Sequence, residues 1–308
     1  MQLVISAFPH QKPKITTNKV MFEIMCALIP AILASIYFFR LRAVYLILNC
    51  MVIAQVTESI ILKIRKKPSS SKDVSCVLTG LLLALTLPPS TKWYAASLGS
   101  IFAILVGKQL FGGLGYNIFN PALVGRAFLA AAYPKMLTTW ITPFSLDVVT
   151  GATPLALRKF DHIITPTLNI FLGNISGCLG ETSALCLIVG GSYLVLRKIA
   201  DWRIPLSMFI TLSVVSSIFY LKNPIYGSVF FHLFSGGFLL GALFMATDPV
   251  TSPVTKKGRF IFGFGCGILV MVIRYFSGLP EGVMYSILFM NALVPLINRL
   301  TIPKSFGR

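Results

Sequence analysis

The sequence carries almost nothing with which to bind a metal or run acid–base chemistry. Of 308 residues, nine are Asp or Glu and three are His (His10, His162 and His232), and the histidines have no ligand-like spacing. The six cysteines, Cys26, Cys50, Cys76, Cys178, Cys186 and Cys266, are scattered and mostly fall inside apolar runs, without a CxxC pair. That argues against a disulfide framework or a cysteine-held metal and leaves them as small buried apolar residues. No GxGxxG, phosphate loop or nucleophile elbow occurs at a usable position. No catalytic residue and no metal ligand is assigned. Charge of both signs is sparse, 12% of the chain, about half the ~25% of a soluble domain.

What is abundant is apolar surface: 56% of residues are hydrophobic and the mean hydropathy is +0.81. This is an all-α polytopic membrane protein. The 27 Lys and Arg give a net charge of +18, but they lie in short clusters between apolar runs rather than in one patch. Nucleic-acid binding is therefore not expected, and the plainer cause is the bias that keeps basic residues cytoplasmic. Met1–Lys19 is polar and basic and leads straight into a full-length apolar run at Val20, so a cleavable signal is not expected.

A helix needs about 20 apolar residues to cross ~30 Å of hydrocarbon. Ten candidates follow: 20–39, 43–62, 74–88, 93–111, 121–133, 175–196, 204–220, 226–246, 260–276 and 283–300. The third and fifth are short and bounded by Pro88 and Pro121, as broken or half helices are. With the N-terminus inside, 18 Lys and Arg fall on the inner segments and eight on the outer, with Arg126 left within a span. That imbalance puts both termini in the cytoplasm and the segment 134–174 on the outer, periplasmic face. The whole of 1–308 is expected as a single membrane domain with 1–19 as a cytoplasmic N-terminus.

The chain also echoes itself. "TGLLLALTLPPST" (79–91) matches "SGGFLLGALFMATDPVTSP" (235–253), and "FGGLGYNIFNPALV" (111–124) matches "FSGLPEGVMYSILFMNALVP" (276–295). The offset is five helices, an odd number, so two halves of inverted topology are expected, with the functional site near the midplane where they meet.

A few polar residues sit at membrane depth, where an isolated charge is expensive. Glu181 in "GCLGETSAL", Arg126 in the fifth span and Asp248 in "MATDPVTSP" read as an ion path or a flavin pocket; the alternatives are a buried ion pair and a helix cap. Glu58, near the end of the second span, reads as an end charge snorkelling to water. Asn117 and Asn120, in a glycine-rich turn, have amides able to meet a flavin ring. Asn120, directly before Pro121, equally fits a helix cap.

The outer segment contains "DVVTGATPL" (147–155). This stretch resembles the covalent flavinylation motif, Asp-x-x-Ser/Thr-Gly-Ala-Thr, with Thr150 in place of the more usual Ser. Together with "FGGLGYNIFNPALVGRAFL", "GETSAL", "MATDPVTSP" and "LPEGVMYSILFMNALVPLI", it makes essentially the whole chain resemble the NqrB/RnfD family, on the side of the ion-translocating Rnf (Rsx) electron-transport complexes. The NqrB component of the Na+-pumping NADH:quinone reductase shares these motifs behind a longer N-terminal extension.

The resemblance implies FMN joined by a phosphoester to Thr153, with Asp147, Thr150, Gly151 and Ala152 completing the motif read by a dedicated flavin transferase. It further implies electron passage between redox subunits coupled to Na+ or H+ movement in the bacterial inner membrane. Other subunits of the Rnf complex would supply NADH binding and iron–sulfur clusters. A second, non-covalent flavin, riboflavin, is implied among the helices near Asn117 and Asn120. From the residues themselves, Thr153 is pushed to an extended backbone by Pro154, which presents its hydroxyl outward, and Gly151 and Ala152 leave no bulk against a nucleotide. A hydroxyl is a poor redox group, so the loop makes sense as a tether. An NqrB-like component, or a plain transporter or channel in which this loop is incidental, is the alternative.

Overall fold

The computed structural model describes residues 16–66, 74–144 and 150–302. Two long helices open the fold: α1 (Thr17–Phe39), capped by the Thr16 hydroxyl, and α2 (Leu41–Ile64). They are followed by α3 (Ser75–Leu85), α4 (Trp93–Ile104), which runs on as a π turn over Leu105–Gln109, and α5 (Pro121–Ala132). The outer segment then makes α6 (Pro134–Leu137), a two-strand ribbon of β1 (Trp140–Ile141) and β2 (Thr150–Gly151), α7 (Pro154–Ala156) and α8 (Thr167–Leu172). The second half holds α9 (Ala184–Leu196), α10 (Arg203–Lys222), α11 (Val229–Phe234), α12 (Phe238–Leu240), α13 (Lys256–Phe276) and α14 (Val283–Thr301).

Every expected span contains a helix, but their lengths differ from the sequence reading. Five helices, α1, α2, α10, α13 and α14, are long and apolar enough to cross a membrane; a sixth span results if Pro224–Phe234 and Phe238–Met245, bent by 43° at their break, are counted together. The break was not expected in 226–246. It falls at Ser235–Gly237, where Gly236 takes a positive φ of 69° that a side chain would strain. The span expected over 175–196 is helical only from Ala184; before it comes irregular chain with one 3₁₀ turn at Leu179–Glu181. The proline-bounded third and fifth spans are short helices, as expected, of 11 and 12 residues.

Packing explains the short helices. In α3 every residue but Val77 is buried, so this segment is wrapped by protein and need not span lipid by itself. It reaches that position through Gly80, where a β-carbon would lie 2.5 Å from Cys50 O of α2; small residues let backbones approach this closely. Around this core, Leu33, Val52, Ile60, Val214, Phe264 and Phe289 point outward, an apolar exterior suited to lipid and too extensive for a soluble monomer. Buried hydroxyls bond back to their own helices, Ser35 to Ala31 O (2.9 Å) and Thr247 to Leu243 O (2.8 Å), so these donors are not left bare in the apolar layer.

The two halves share a neighbour pattern. In the first, α2 packs on α3 and α4, and α4 on α5; in the second, α10 packs on α11 and α13, and α13 on α14. Helix α1 packs against α9, and α5 against α14.

Asp201, between α9 and α10, ties the starts of α10 and α13 together: it accepts from the Arg203 backbone (2.9 Å), bridges Arg203 (2.9 Å) and contacts the Arg259 guanidinium. Burial pushes its carboxyl up, but the Arg203 N–H and then the Arg259 guanidinium outweigh it and hold it below its ordinary range. A depressed folded value stabilises the fold above the unfolded carboxyl's range, and that contribution is lost as pH falls through the folded one. Asp201→Asn is thus expected to cost about 1–2 kcal/mol at neutral pH and nothing at a pH low enough to protonate the wild-type carboxyl, as thermal unfolding in detergent would read.

Candidate functional site

The outer loop is built around Thr153. β1 and β2 pair antiparallel, Trp140 with Gly151 and Ile141 with Thr150. The turn between them holds 145–149, and the motif's Asp147 therefore lies outside the described residues. Thr153 has φ −71° and ψ 153°, the extended conformation that a following proline imposes. Its hydroxyl is half-buried rather than freely outward, because Oγ1 accepts the Ala156 N–H (3.3 Å) and caps the helix beginning at Pro154. Among the described residues the hydroxyl donates to nothing. Ala152 is exposed beside it.

Gly151 serves a purpose the sequence reading missed. A β-carbon there would collide with Ser176 Oγ and lie 3.0 Å from Thr142 Cγ2, so the glycine seats the ribbon on the protein body. Gly151→Val is expected to lift the ribbon, costing about 1–3 kcal/mol and making the 140–153 segment several-fold more susceptible to limited proteolysis.

Beyond Thr153, Leu155 buries with Ile170, Ile175 and Phe231, and a π turn over Leu157–Asp161 presents two cations. Arg158 donates to Tyr226 O (2.8 Å) and Arg274 O (3.2 Å) and lies 5.1 Å over the Tyr275 ring. Lys159 donates to Arg274 O (3.0 Å) and Leu279 O (2.8 Å); burial, then the neighbouring Arg158, hold its ammonium below the ordinary lysine range. Cations on the last carbonyls of a helix are well placed. The loop is thereby pinned to the C-terminal end of α13.

Beside that anchor lies a buried charge cluster. Arg126 of α5 stands between Glu181 (4.0 Å) and Glu281 (3.7 Å), and Glu281 also accepts the Gly237 N–H at the break before α12. Glu181 Oε2 accepts the Cys178 N–H (3.3 Å), while its Oε1 is buried without a hydrogen-bond partner. The cluster touches the underside of the loop: a β-carbon at Gly236 would lie 2.7 Å from Leu155 Cδ1 and 2.8 Å from Glu281 Oε1.

A second polar region lies between the halves. A cavity of about 50 Å³ is lined by Asn117, Asn120, Asp248, Lys108, Thr79 and Thr247 among others, which brings three of the expected site residues together. Asn120 caps α5 through Ala122 N (3.1 Å) and donates to Met245 O across the halves (3.2 Å). With the Asn291 amide in its bonded orientation, its oxygen accepts from Asn120 N (3.1 Å) and its nitrogen donates to Thr251 O (3.3 Å). Asn120 and Asn291, one from each of the two similar stretches of sequence, are thereby bonded to each other. Asn117 donates to Phe119 O (3.3 Å) and leaves its oxygen buried and unpaired. Asp248 closes a turn onto Thr251 Oγ1 (3.0 Å) and Val250 N (3.4 Å).

Glu58 corrects the sequence reading outright. It is 5% exposed and does not reach water; Lys108 pairs with it at 2.7 Å, held also by Ser75 Oγ (2.7 Å), and Gln109 donates to it (2.8 Å).

Residues 4–307 match the NQR2, RnfD, RnfE family. The chain belongs to that family. It is 43% identical over 311 residues to the D component of the Na+-translocating ferredoxin:NAD+ oxidoreductase complex of Acetobacterium woodii, covering 100% of this chain and 96% of that one. It is 41% identical to the D component of the proton-translocating ferredoxin:NAD+ oxidoreductase complex of Clostridium ljungdahlii, over 98% and 96%. To the D component of the ion-translocating oxidoreductase complex of Stutzerimonas stutzeri it is 40% identical, over 95% and 93%. Two relatives of nearly equal similarity are named for different ions, so similarity does not select the ion here.

In this member of the NQR2, RnfD, RnfE family, the sequence reading singled out Arg126 as a charge at membrane depth without giving it a partner, and overlooked Glu281 and Lys108 as site residues. The last two had a signal: Glu281 is one of only nine acids and opens an apolar helix, and Lys108 interrupts an apolar run.

Proposed function

We propose that the chain is the membrane subunit of an ion-translocating oxidoreductase complex, that it carries FMN as a phosphoester on Thr153, and that it passes electrons between neighbouring redox subunits while the complex moves Na+ or H+. It is not catalytic alone. The observation that carries this reading is Thr153 itself: an extended, part-exposed threonine whose hydroxyl proton is uncommitted among the described residues, in an intact motif anchored over a buried charge cluster. The residues fit the group. Thr153 offers the oxygen, exposed Ala152 leaves the approach open, and Gly151, Arg158 and Lys159 fix the loop against Ser176 and α13. When bound, FMN supplies one- and two-electron redox chemistry; the chain's own contribution is to hold it at one place relative to α13 and the Arg126 cluster. Attachment is the work of a flavin transferase, and NADH binding and iron–sulfur clusters belong to partner subunits.

The ten-span arrangement in two inverted halves is part of this reading. It is supported by helices at every expected position, by the repeated neighbour pattern and by the Asn120–Asn291 contact. The excess of Lys and Arg on one side supports cytoplasmic termini, an outer Thr153 and residence in the bacterial inner membrane. Glu181 and Asp248 would line the ion path. A second flavin does not fit the cavity at Asn117 and Asn120: about 50 Å³ is room for a few waters and not for three fused rings, and Asn120 is already spent on Ala122 and Met245.

The test is in-gel flavin fluorescence of the full-length chain made together with its transferase. A fluorescent band in the wild type that is absent in Thr153→Ala supports the reading. An unlabelled wild type beside an active transferase would leave a plain transporter.

A further inference from the structure

The starts of α10 and α13 lie together and carry charge of the wrong sign for helix starts. Arg203 stands in the first turn of α10, and Lys256, Lys257 and Arg259 in the first turn of α13, with no acid in either. The positive end of a helix dipole disfavours such cations and favours an anion. A cavity of about 370 Å³ opens at this point, lined by Lys198, Asp201, Trp202, Arg203, Ser252 and Arg259 among others. Asp201 is the one carboxylate in the lining, and both arginines share it. With Lys198 added, three cations face one carboxylate, a net charge of +2. Among the described residues the Lys198 ammonium has neither a hydrogen bond nor an ion pair. Lys198 also follows α9 with a φ of 59°, a left-handed backbone that glycine adopts more readily.

An apolar space adjoins the charged one along the same two helices. About 340 Å³ between α10 and α13 is lined by Ser207, Ile210 and Thr211 from one and Phe260, Ile261 and Phe264 from the other. Ser207 and Thr211 bond back to Ile204 O (3.0 Å) and Ser207 O (2.7 Å), which leaves the groove apolar in effect. Ser207 and Ile210 lie one and two turns beyond Arg203 on the same edge of α10. Ile210, Ile261 and Phe264 are about half exposed, on the exterior suited to lipid. At the junction Trp202 of the cavity meets Phe260 of the groove edge-on, with ring centroids 5.9 Å apart. Tryptophan is a residue of the membrane–water interface.

We infer that this composite site holds one anionic phospholipid, its phosphate among Lys198, Arg203 and Arg259 and one acyl chain in the groove between α10 and α13. A phosphate complements both the positive lining and the two helix starts, and basic pockets between membrane helices suit lipid headgroups. A zwitterionic headgroup brings its own ammonium and gains less. A soluble anion leaves the groove beside Phe260 and Phe264 unfilled. The bias of basic residues toward one side of the membrane accounts for the charges but not for the cavity they line or the groove that adjoins it. The site does not depend on the redox function proposed above.

The experiment uses the full-length chain carrying Trp93→Phe and Trp140→Phe, which leaves Trp202 as its one tryptophan, in phosphatidylcholine vesicles. Quenching of Trp202 fluorescence by dibrominated phosphatidylglycerol is compared with quenching by dibrominated phosphatidylcholine. The expected result is saturation at a low fraction of the anionic lipid, with a preference of roughly tenfold. Lys198→Gly removes one charge and suits the left-handed backbone; it should cut that preference roughly fivefold, and Lys198→Asn should reproduce the loss. Lys63→Gln, an exposed cation in the last turn of α2 outside the cavity, should leave the preference unchanged. Equal quenching by the two lipids, or a preference that falls as much in Lys63→Gln as in Lys198→Gly, overturns the site. Glycerol phosphate, which has the phosphate without the chains, should not relieve the quenching at a concentration equal to that of the lipid. Relief would mean a site for a soluble anion and would overturn the lipid.

Discussion

Replacing Lys108 by Met should destabilise the chain by about 3–5 kcal/mol, because removing one partner of a buried ion pair strands the other. Among the described residues Glu58 would be left beside neutral groups, the Gln109 amide and the Cys76 thiol, in a setting that shuts out water, since its side chain is 6% and that of Lys108 2% exposed. Methionine matches the length and apolar stem of the lysine, so lost packing contributes little to the effect. The double variant Lys108→Met with Glu58→Leu should recover most of the loss, since swapping a whole buried pair for apolar residues is often neutral or better. Thermal unfolding in detergent of the two single variants and the double closes the cycle. A cost under about 1 kcal/mol for Lys108→Met, the range of an exposed pair, would mean that Glu58 finds water after all.

The second large effect is on cofactor loading. Thr153 does two things, capping the helix at Pro154 and offering a hydroxyl, and substitution separates them. Asn at 153 keeps a cap but has no hydroxyl; Ser keeps both; Ala loses both and should cost about 0.5–2 kcal/mol for the cap alone. Loading is therefore expected to be complete in wild type, substantial in Thr153→Ser and nil in Thr153→Asn and Thr153→Ala, while stability follows a different order with Ala lowest. If loading tracked stability instead, with Asn labelled and Ala not, the residue would matter as a cap and the attachment point would lie elsewhere.

What could be read in the sequence were features set by neighbours along the chain. Long apolar runs gave α1, α2, α10, α13 and α14; Asn120 before Pro121 announced a cap, and Pro154 fixed Thr153 as extended. The helix break at Gly236–Gly237 was hidden because apolar composition runs on through it, and the same holds for the irregular 175–183 stretch. In those backbones Gly237 N–H donates to Glu281 and Leu179 N–H to Leu87 O, partners that come from distant segments. The Glu58–Lys108 pair escaped because its members lie on different helices, and Lys108 alone looks like one more inner-face cation. The Arg126 cluster draws on three distant segments. The packing role of Gly151 was hidden for the same reason, since the atom that forbids a side chain there, Ser176 Oγ, arrives from another segment. Motif, orientation and span positions are local properties; the buried charge chemistry is tertiary.

The most direct measurement on the central claim is the intact mass of the full-length chain, purified after production with its flavin transferase, followed by mapping of the modified peptide. The account predicts a single added mass of about 438 Da, one FMN less water for a phosphoester, located on the peptide containing Thr153 and missing from Thr153→Asn. An unmodified chain, or an adduct that survives in Thr153→Asn, would contradict it.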